Sequence, residues 1–172
     1  VGLLLSHRAD WAVVQEVEET PGIVYKPLFS YEMVGLCAKD HPLAAKEVWQ
    51  AEDFAEETWV TYPVPDDMLD LYRQVLKPKG INPPRRTTEL TIALIQLVAS
   101  RRGIATVPYW AALPYLEKGY VVARKITEEG LYSNLYAAIR KEDANLAYIE
   151  DFHQTVKTQS FSTLPGLSVL EL

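Results

Sequence analysis

Polar and aromatic side chains follow three predicted strands, at the positions where each strand ends. Thr61 and Tyr62 close one strand, Pro108 and Tyr109 follow another, and a polar stretch comes after Val14. In an open α/β sheet, ligands bind outside the carboxyl ends of the strands. Hydroxyl groups at that edge supply hydrogen bonds, so the pattern is typical of a binding site for a small polar molecule.

Two predicted helices begin close to these strand ends, at Asp67 and at Glu89-Leu90. The free N–H groups of a helix N-terminus favour a carboxylate or another anion. Taken one at a time, each threonine here is explained by a local backbone bond or a cap, and Tyr109 by packing. Their convergence at one crevice favours a binding site. Its candidate residues are Thr61, Tyr62, Thr91, Gln96, Pro108 and Tyr109.

The segment Thr87–Tyr109 carries the richest structural signal. It predicts a polar-capped apolar helix, then Gly103 as the left-handed C-cap, a buried strand at Ile104–Val107, and a proline-aromatic loop. Five apolar residues share one face of this helix. They are Leu90, Ala93, Leu94, Leu97 and Val98. Ile92 and Ile95 lie on another face, so we expect the helix to be covered on more than one side.

Further strands and helices are predicted along most of the chain. The predicted strands are Trp11–Val14, Ile23–Phe29, Tyr31–Ala38, Thr58–Tyr62, Tyr120–Ile126 and Leu135–Arg140. Helices are predicted from Met68 to Leu76, with Asp66 or Asp67 as the N-cap, at Pro114–Lys118, and around Leu146–Val156. This alternation predicts a mostly parallel sheet covered on both faces.

Catalytic motifs are missing from the sequence. His7, His41 and His153 have no metal-ligand spacing to one another or to Cys37. The chain contains no glycine-rich phosphate or dinucleotide loop and no GxSxG nucleophile motif. Helix capping explains Asp66-Asp67 better than acid–base catalysis, and a core position explains Cys37 better than a reactive thiol. We therefore expect a protein without a cofactor or a metal that is not an enzyme.

Composition narrows the class of protein further. The net charge of −6 argues against this segment wrapping DNA or RNA, because phosphate binding needs an electropositive surface. A single cysteine excludes an internal disulfide and suits a reducing cytoplasm. The apolar runs are far shorter than the ~20 residues that span a membrane. We expect a cytoplasmic protein with a core of ordinary size.

Four motifs follow one another in an order that is specific to one family. They are Arg8-Ala9-Asp10-Trp11-Ala12-Val13, Pro27-Leu28, Tyr31–Ala38 and Asp40-His41-Pro42-Leu43. Together with the helix and the GIATVP strand that follows it, they resemble the effector-binding domain of LysR-type transcriptional regulators. The resemblance covers essentially the whole chain.

This resemblance implies an α/β fold with two Rossmann-like lobes of the type II periplasmic-binding-protein kind. Residues 1–33 and 139–172 would form lobe I and residues 34–138 lobe II, with crossings in Tyr31–Ala38 and Leu135–Arg140. The effector would bind in the cleft between the lobes, against the six candidate residues. Relative to the family, we expect lobe I to be incomplete and the N-terminal winged helix-turn-helix to be absent from this sequence.

Within the family, LFSYEMVGLCAKDHPLAAK and ELTIALIQLVASRRGIATVPYW resemble an activator of methionine biosynthesis that responds to homocysteine. The resemblance implies homocysteine as the effector, a homodimer or tetramer, no membrane partner, and DNA contact only through the missing N-terminal domain. The alternative is a solute-binding protein of a transporter, which shares the two-lobe architecture. The sequence upstream of Val1 would separate the two.

Overall fold

The computed structural model describes residues 1–170, which form two compact units. Unit 1 comprises Val1–Tyr31 and the segment that begins at Ser133, and unit 2 comprises Glu32–Tyr132. Both changes of unit fall inside long strands, so two strands run from one unit into the other. The division into lobes predicted from the sequence, with changes after residues 33 and 138, stays a prediction.

Most of the elements are short, and strands alternate with helical segments along much of the chain. The strands are β1 (Trp11–Val14), β2 (Ile23–Cys37), β3 (Val48–Trp49), β4 (Trp59–Thr61), β5 (Arg85–Thr87), β6 (Ile104–Pro108), β7 (Val122–Ile126), β8 (Leu131–Arg140) and β9 (Leu167–Ser168). The α-helices are α1 (Gly2–Leu5), α2 (Thr91–Ala99), α3 (Tyr109–Glu117) and α4 (Ala147–Thr163). Single 3₁₀ turns lie at Pro42–Ala45, Ala51–Phe54, Asp66–Met68 and Lys77–Lys79, and a π-helical turn at Tyr72–Leu76.

The sheet of unit 2 is mixed. Its strand order is β2-β6-β4-β5, and β4 pairs in parallel with both β5 and β6. The long strand β2 is antiparallel to β6 and to β7, while β3 is parallel to β7. The expectation of a mostly parallel sheet was therefore wrong. The reason is that β2 enters the unit from the other one and runs against its neighbours.

Apolar side chains cover both faces of this sheet. In β4 successive side chains point to opposite faces, so Trp59 lies in one core cluster and Val60 in another. The first cluster includes Trp49 and Phe54, whose rings meet edge to face at 5.7 Å. The second packs α2 and α3 onto the sheet. Such two-sided burial explains why the strand sequences read as nearly continuous apolar runs.

Several sequence-based boundaries were wrong. Ile23–Phe29 and Tyr31–Ala38 are one strand, β2, because the chain stays extended through Pro27 and Ser30. Helix α3 begins at Tyr109, where a loop was expected, and continues through Pro114. On α2 the buried residues are Leu94, Ile95 and Val98, whereas Leu90 and Ile92 are exposed.

The predicted capping by Asp66 or Asp67 was also wrong. The N-cap of the 3₁₀ turn is Pro65, without a side-chain bond. Asp66 instead pairs with Arg85, and Asp67 accepts a bond from Lys77 Nζ at 2.6 Å. Both carboxylates are therefore held by cations from later segments of the chain.

Gly103 has a different role from the predicted C-cap. The left-handed residue after α2 is Arg101, with φ of 59°. Gly103 has φ of +149°, and a Cβ there would collide with the carbonyl oxygen of Thr58 and come within 2.8 Å of Val60 Cγ2. A glycine is required because α2 returns the chain to the sheet at the start of the β4–β6 pairing.

We predict that Gly103→Ala lowers the free energy of unfolding by about 2–5 kcal/mol, since backbone strain and overpacking add. Gly80→Ala is the matched control, because Gly80 also has positive φ but open space around its Cα. Its cost is about 1 kcal/mol. Urea unfolding of both variants measures the difference, and equal costs would contradict the steric role of Gly103.

Unit 1 is held together around a buried arginine. Strand β1 is antiparallel to β8, from Trp11↔Ile139 to Val14↔Tyr136. The guanidinium of Arg140 donates to the carbonyl oxygens of Leu4 at 2.9 Å and Ala9 at 2.5 Å, and pairs with Asp10 and Asp143. One side chain on β8 thus ties down the turn between α1 and β1.

Helix α4 carries a buried histidine on its inner face. His153 is 4% exposed, and its Nδ1 has no hydrogen-bond partner among the described residues. Burial lowers the pKa of His153, as do Lys26 on β2 and Lys157 on α4, while Glu150 acts in the opposite direction. The neutral imidazole is therefore favoured in the folded protein.

Acid should consequently weaken the fold through His153. Above the ordinary pKa of 6.5 the imidazole is neutral in both states. Below this pKa the imidazole of the unfolded chain takes up a proton first. The free energy of unfolding therefore decreases as the pH is lowered from 6.5 to the lower pKa of the folded state. Denaturant titrations between pH 7.5 and 5 measure this slope. His153→Gln should flatten it, whereas His7→Asn, at an exposed position, should leave it unchanged; identical slopes would refute the assignment.

Candidate functional site

Two candidate positions lie at the same edge of the unit 2 sheet. Strands β4 and β6 are parallel, with Trp59 opposite Ile104 and Val60 opposite Ala105. Their carboxyl ends, Thr61 and Pro108, therefore emerge on the same side. Thr61 is buried, and its carbonyl oxygen accepts a bond from the N–H of Thr88 at 3.0 Å, which brings the segment before α2 to this edge.

The side chains of Tyr62 and Thr91 meet directly. The phenol oxygen of Tyr62 lies 2.7 Å from Thr91 Oγ1, and both residues are half-buried. Thr91 is the first residue of α2, whose N-cap, Leu90, makes no side-chain capping bond. The pair of hydroxyls therefore lies beside the N-terminus of a nine-residue helix, where backbone N–H groups favour an anion.

Pro108 and Tyr109 begin the next helix. Pro108 is the N-cap of α3, with φ of −56° and ψ of 137°, and Tyr109 is the first helical residue. Tyr62 and Tyr109 both pack, half-buried, against the core cluster that α2 and α3 share. The two rings thus flank the strand ends, with the hydroxyl of Tyr62 oriented by Thr91.

Gln96 lies elsewhere on α2. Five residues separate it from Thr91, which corresponds to about 140° around the helix and about 7.5 Å along its axis. Its side chain is exposed, and its backbone carbonyl accepts bonds from Ser100. A contact of Gln96 with a ligand stays a prediction, whereas Tyr62 and Thr91 are brought together.

In unit 1, sequence reasoning pointed to the stretch after Val14 but named no residue. In the structure the first residue of this stretch, Gln15, donates from Nε2 to the phenol oxygen of Tyr31 at 3.3 Å. The signal was available, because Gln15 is the first polar side chain after an apolar strand. Its hydrogen-bond partner, Tyr31, lies sixteen residues later and could not be predicted from residue spacing.

The other reactive residue types have structural roles. Cys37 is fully buried in β2, and burial raises the pKa of its thiol to about 11, so the reactive thiolate is disfavoured. His41 Nδ1 accepts a bond from the N–H of Leu43 at 3.2 Å, and its Nε2 lies 3.3 Å from Glu57. This bond makes the Asp-His-Pro-Leu motif a capped turn.

Residues 1–170 show neither a cluster of metal ligands nor a helix that could span a membrane. No group of three or more His, Cys, Asp or Glu residues in that range is arranged to hold a metal ion. Likewise, none of the helices in that range combines the length and apolar character needed to cross a bilayer. The described chemistry is that of hydrogen bonding and ion pairing.

Comparison with known proteins identifies the family. The model of the LysR substrate binding domain matches residues 1–160. The chain belongs to this family. Membership confirms the α/β fold with two lobes of the periplasmic-binding kind that the sequence predicted.

Individual relatives agree with this LysR assignment. The chain is 80% identical over 172 residues to the HTH-type transcriptional regulator MetR of Haemophilus influenzae. The aligned region covers 100% of this chain and 56% of that protein. It is similar to the regulatory domain structure of MetR from N. meningitidis, with a TM-score of 0.93 and 65% identity over 99% of this chain and 79% of the other. The chain spans about half the length of the sequence relatives it matches.

A more distant structure shares the fold alone. The effector binding domain of QuiR, solved in complex with shikimate, matches with a TM-score of 0.76 at 22% identity, over 95% of this chain and 77% of the other. Similarity at this level is informative about architecture only.

The hydroxyl pair gives a direct test of the site geometry. We predict that Tyr62→Phe lowers the free energy of unfolding by about 0.5–1.5 kcal/mol, the usual net worth of one hydrogen bond. Tyr72→Phe is the control, because that hydroxyl bonds Asn82 at 3.1 Å on the exposed surface and water replaces it readily. If chemical denaturation gives equal losses for both variants, Tyr62 and Thr91 are not bonded as described.

Proposed function

We propose that this chain is the effector-sensing domain of a LysR-type transcriptional regulator of methionine biosynthesis, with homocysteine as its effector. The observation that carries the proposal is the 80% identity to MetR of H. influenzae along the entire chain. The half-buried hydroxyl pair at the uncapped N-terminus of α2 supports it, because a small polar molecule needs such partners.

The chemistry of homocysteine suits this edge of unit 2. Its carboxylate would accept bonds from the N-terminus of α2 and from Thr91, and its ammonium would donate to hydroxyl or carbonyl oxygens. Its thiol would lie against aromatic rings, with which sulfur makes favourable contacts. The proposed contacts are Thr61, Tyr62, Thr91, Gln96, Pro108 and Tyr109.

Signalling in the whole regulator is also part of the proposal. An effector shifts a conformational equilibrium only if it binds one arrangement better than another. Homocysteine would in this way alter how DNA-binding heads, carried by another part of the protein, are spaced. Neither DNA contact nor catalysis is assigned to this chain.

Self-association to a homodimer or tetramer belongs to the same proposal. Leu90 and Ile92 are 63% and 56% exposed and give the outer side of α2 an apolar surface. Burying such side chains against a second copy is favourable by about 1.5–3 kcal/mol for each fully covered residue. Analytical ultracentrifugation measures the oligomeric state of the protein.

Isothermal titration calorimetry with L-homocysteine tests whether homocysteine is the effector. We expect saturable binding that Thr91→Val weakens about tenfold, because the variant loses one hydroxyl from the site. Thr158→Val is the matched control, as it makes the same substitution at an exposed position of α4. Heat with another metabolite but none with homocysteine would reject homocysteine and leave the fold assignment intact.

A further inference from the structure

A carboxylate lies beside two apolar residues on one face of the unit 2 part of β2. Side chains two residues apart in a strand share a face, so Glu32 continues the row of Val34 and Leu36. Val34 and Leu36 are buried in the core cluster beneath α2 and α3, while Glu32 is half-buried. Within residues 1–170, Glu32 has neither an ion pair nor a hydrogen bond to its side chain. A half-buried carboxylate of this kind has spare capacity for a cationic partner.

Glu32 lines a pocket of about 310 Å³ that lies wholly within unit 2. We call it the Glu32 pocket. Its lining residues are Glu32, Val34, Tyr109, Ala123, Arg124 and Lys125. The volume lies at the small end of the range that ligand pockets occupy.

The opposite charge in the pocket comes from β7. That strand is antiparallel to β2, with Leu36 opposite Ala123 and Gly35 opposite Arg124. Lys125 shares its face with Ala123, so its side chain lies on the same side of the sheet as Glu32. The Nζ of Lys125 donates one bond, to the carbonyl oxygen of Glu128 at 2.6 Å. An ammonium has three donors, so two remain for a ligand.

The other lining residues shape the pocket. Arg124 lies opposite Gly35, so its side chain is on the other face of the sheet from Glu32, and there its guanidinium donates to the carbonyl oxygens of Ala44 and Ala123. Val34 and Ala123 add apolar surface to the lining. Tyr109, at the start of α3, adds an aromatic ring.

We infer that the Glu32 pocket binds a small α-amino acid as a zwitterion, at a site separate from the hydroxyl pair at α2. Glu32 accepts bonds from the ligand ammonium, and Lys125 donates to its carboxylate. Both ligand groups are attached to one carbon, so a single small molecule reaches both protein charges. The apolar floor and Tyr109 favour an aliphatic or sulfur-containing side chain over a charged one.

Calorimetric titration with L-methionine, L-leucine and L-homocysteine tests this inference on the intact chain. We expect at least one of them to bind, and Glu32→Gln to weaken that binding tenfold or more. The desamino analogue of methionine should bind poorly to the parent and be unaffected by Glu32→Gln. Glu129→Gln, which neutralises an exposed carboxylate outside the pocket, is the matched control. Thermal melts should confirm that both variants fold like the parent.

Measuring the same binding in the Thr91→Val variant distinguishes the two sites. Binding that Glu32→Gln weakens and Thr91→Val spares supports the Glu32 pocket, even if homocysteine itself does not bind. Binding that Thr91→Val weakens and Glu32→Gln spares supports the hydroxyl pair alone and overturns the inference. The inference would also be overturned if none of the three amino acids binds. The same holds if the Glu32→Gln variant still binds methionine more tightly than its desamino analogue.

Discussion

The parallel pairing of β4 with β6 is the constraint on which the candidate site depends. The pairing begins where the N–H of Ile104 donates to the carbonyl oxygen of Thr58 at 2.9 Å. It is possible only because Gly103, the preceding residue, leaves room for that carbonyl. Once the two strands run side by side, their carboxyl ends meet at one edge. The helices that follow β5 and β6 then begin at this edge as well.

Charged groups in this chain divide into those that the fold satisfies and those with capacity to spare. Arg140 makes four bonds or ion pairs, to Leu4, Ala9, Asp10 and Asp143, so its buried charge is compensated. Around the Glu32 pocket the balance differs, since a half-buried carboxylate and an ammonium with free donors share one face. The first arrangement stabilises a unit, and the second suits a ligand that carries both charges.

Much of the fold was predictable because local patterns agree with it. The half-buried strand β1 and the buried strand β6 are short apolar runs bounded by polar or glycine residues, and α2 combines helical periodicity with a clear stop. The errors have a shared cause. The single strand β2, the helical start at Tyr109 and the antiparallel neighbours of β2 all depend on contacts with distant segments. Asp66 and Asp67 likewise resemble helix caps in the local sequence, but in the folded protein their carboxylates pair with Arg85 and Lys77.

The sequence by itself determined the family, the α/β class and the strand ends at which hydroxyl and aromatic residues gather. Residue order and periodicity suffice for these, because they are properties of neighbouring positions along the chain. Only the tertiary structure decided that Tyr62 meets Thr91 and that Glu32 shares a pocket with Lys125. Those relations depend on strand register and helix rotation, which are set when distant segments pack together.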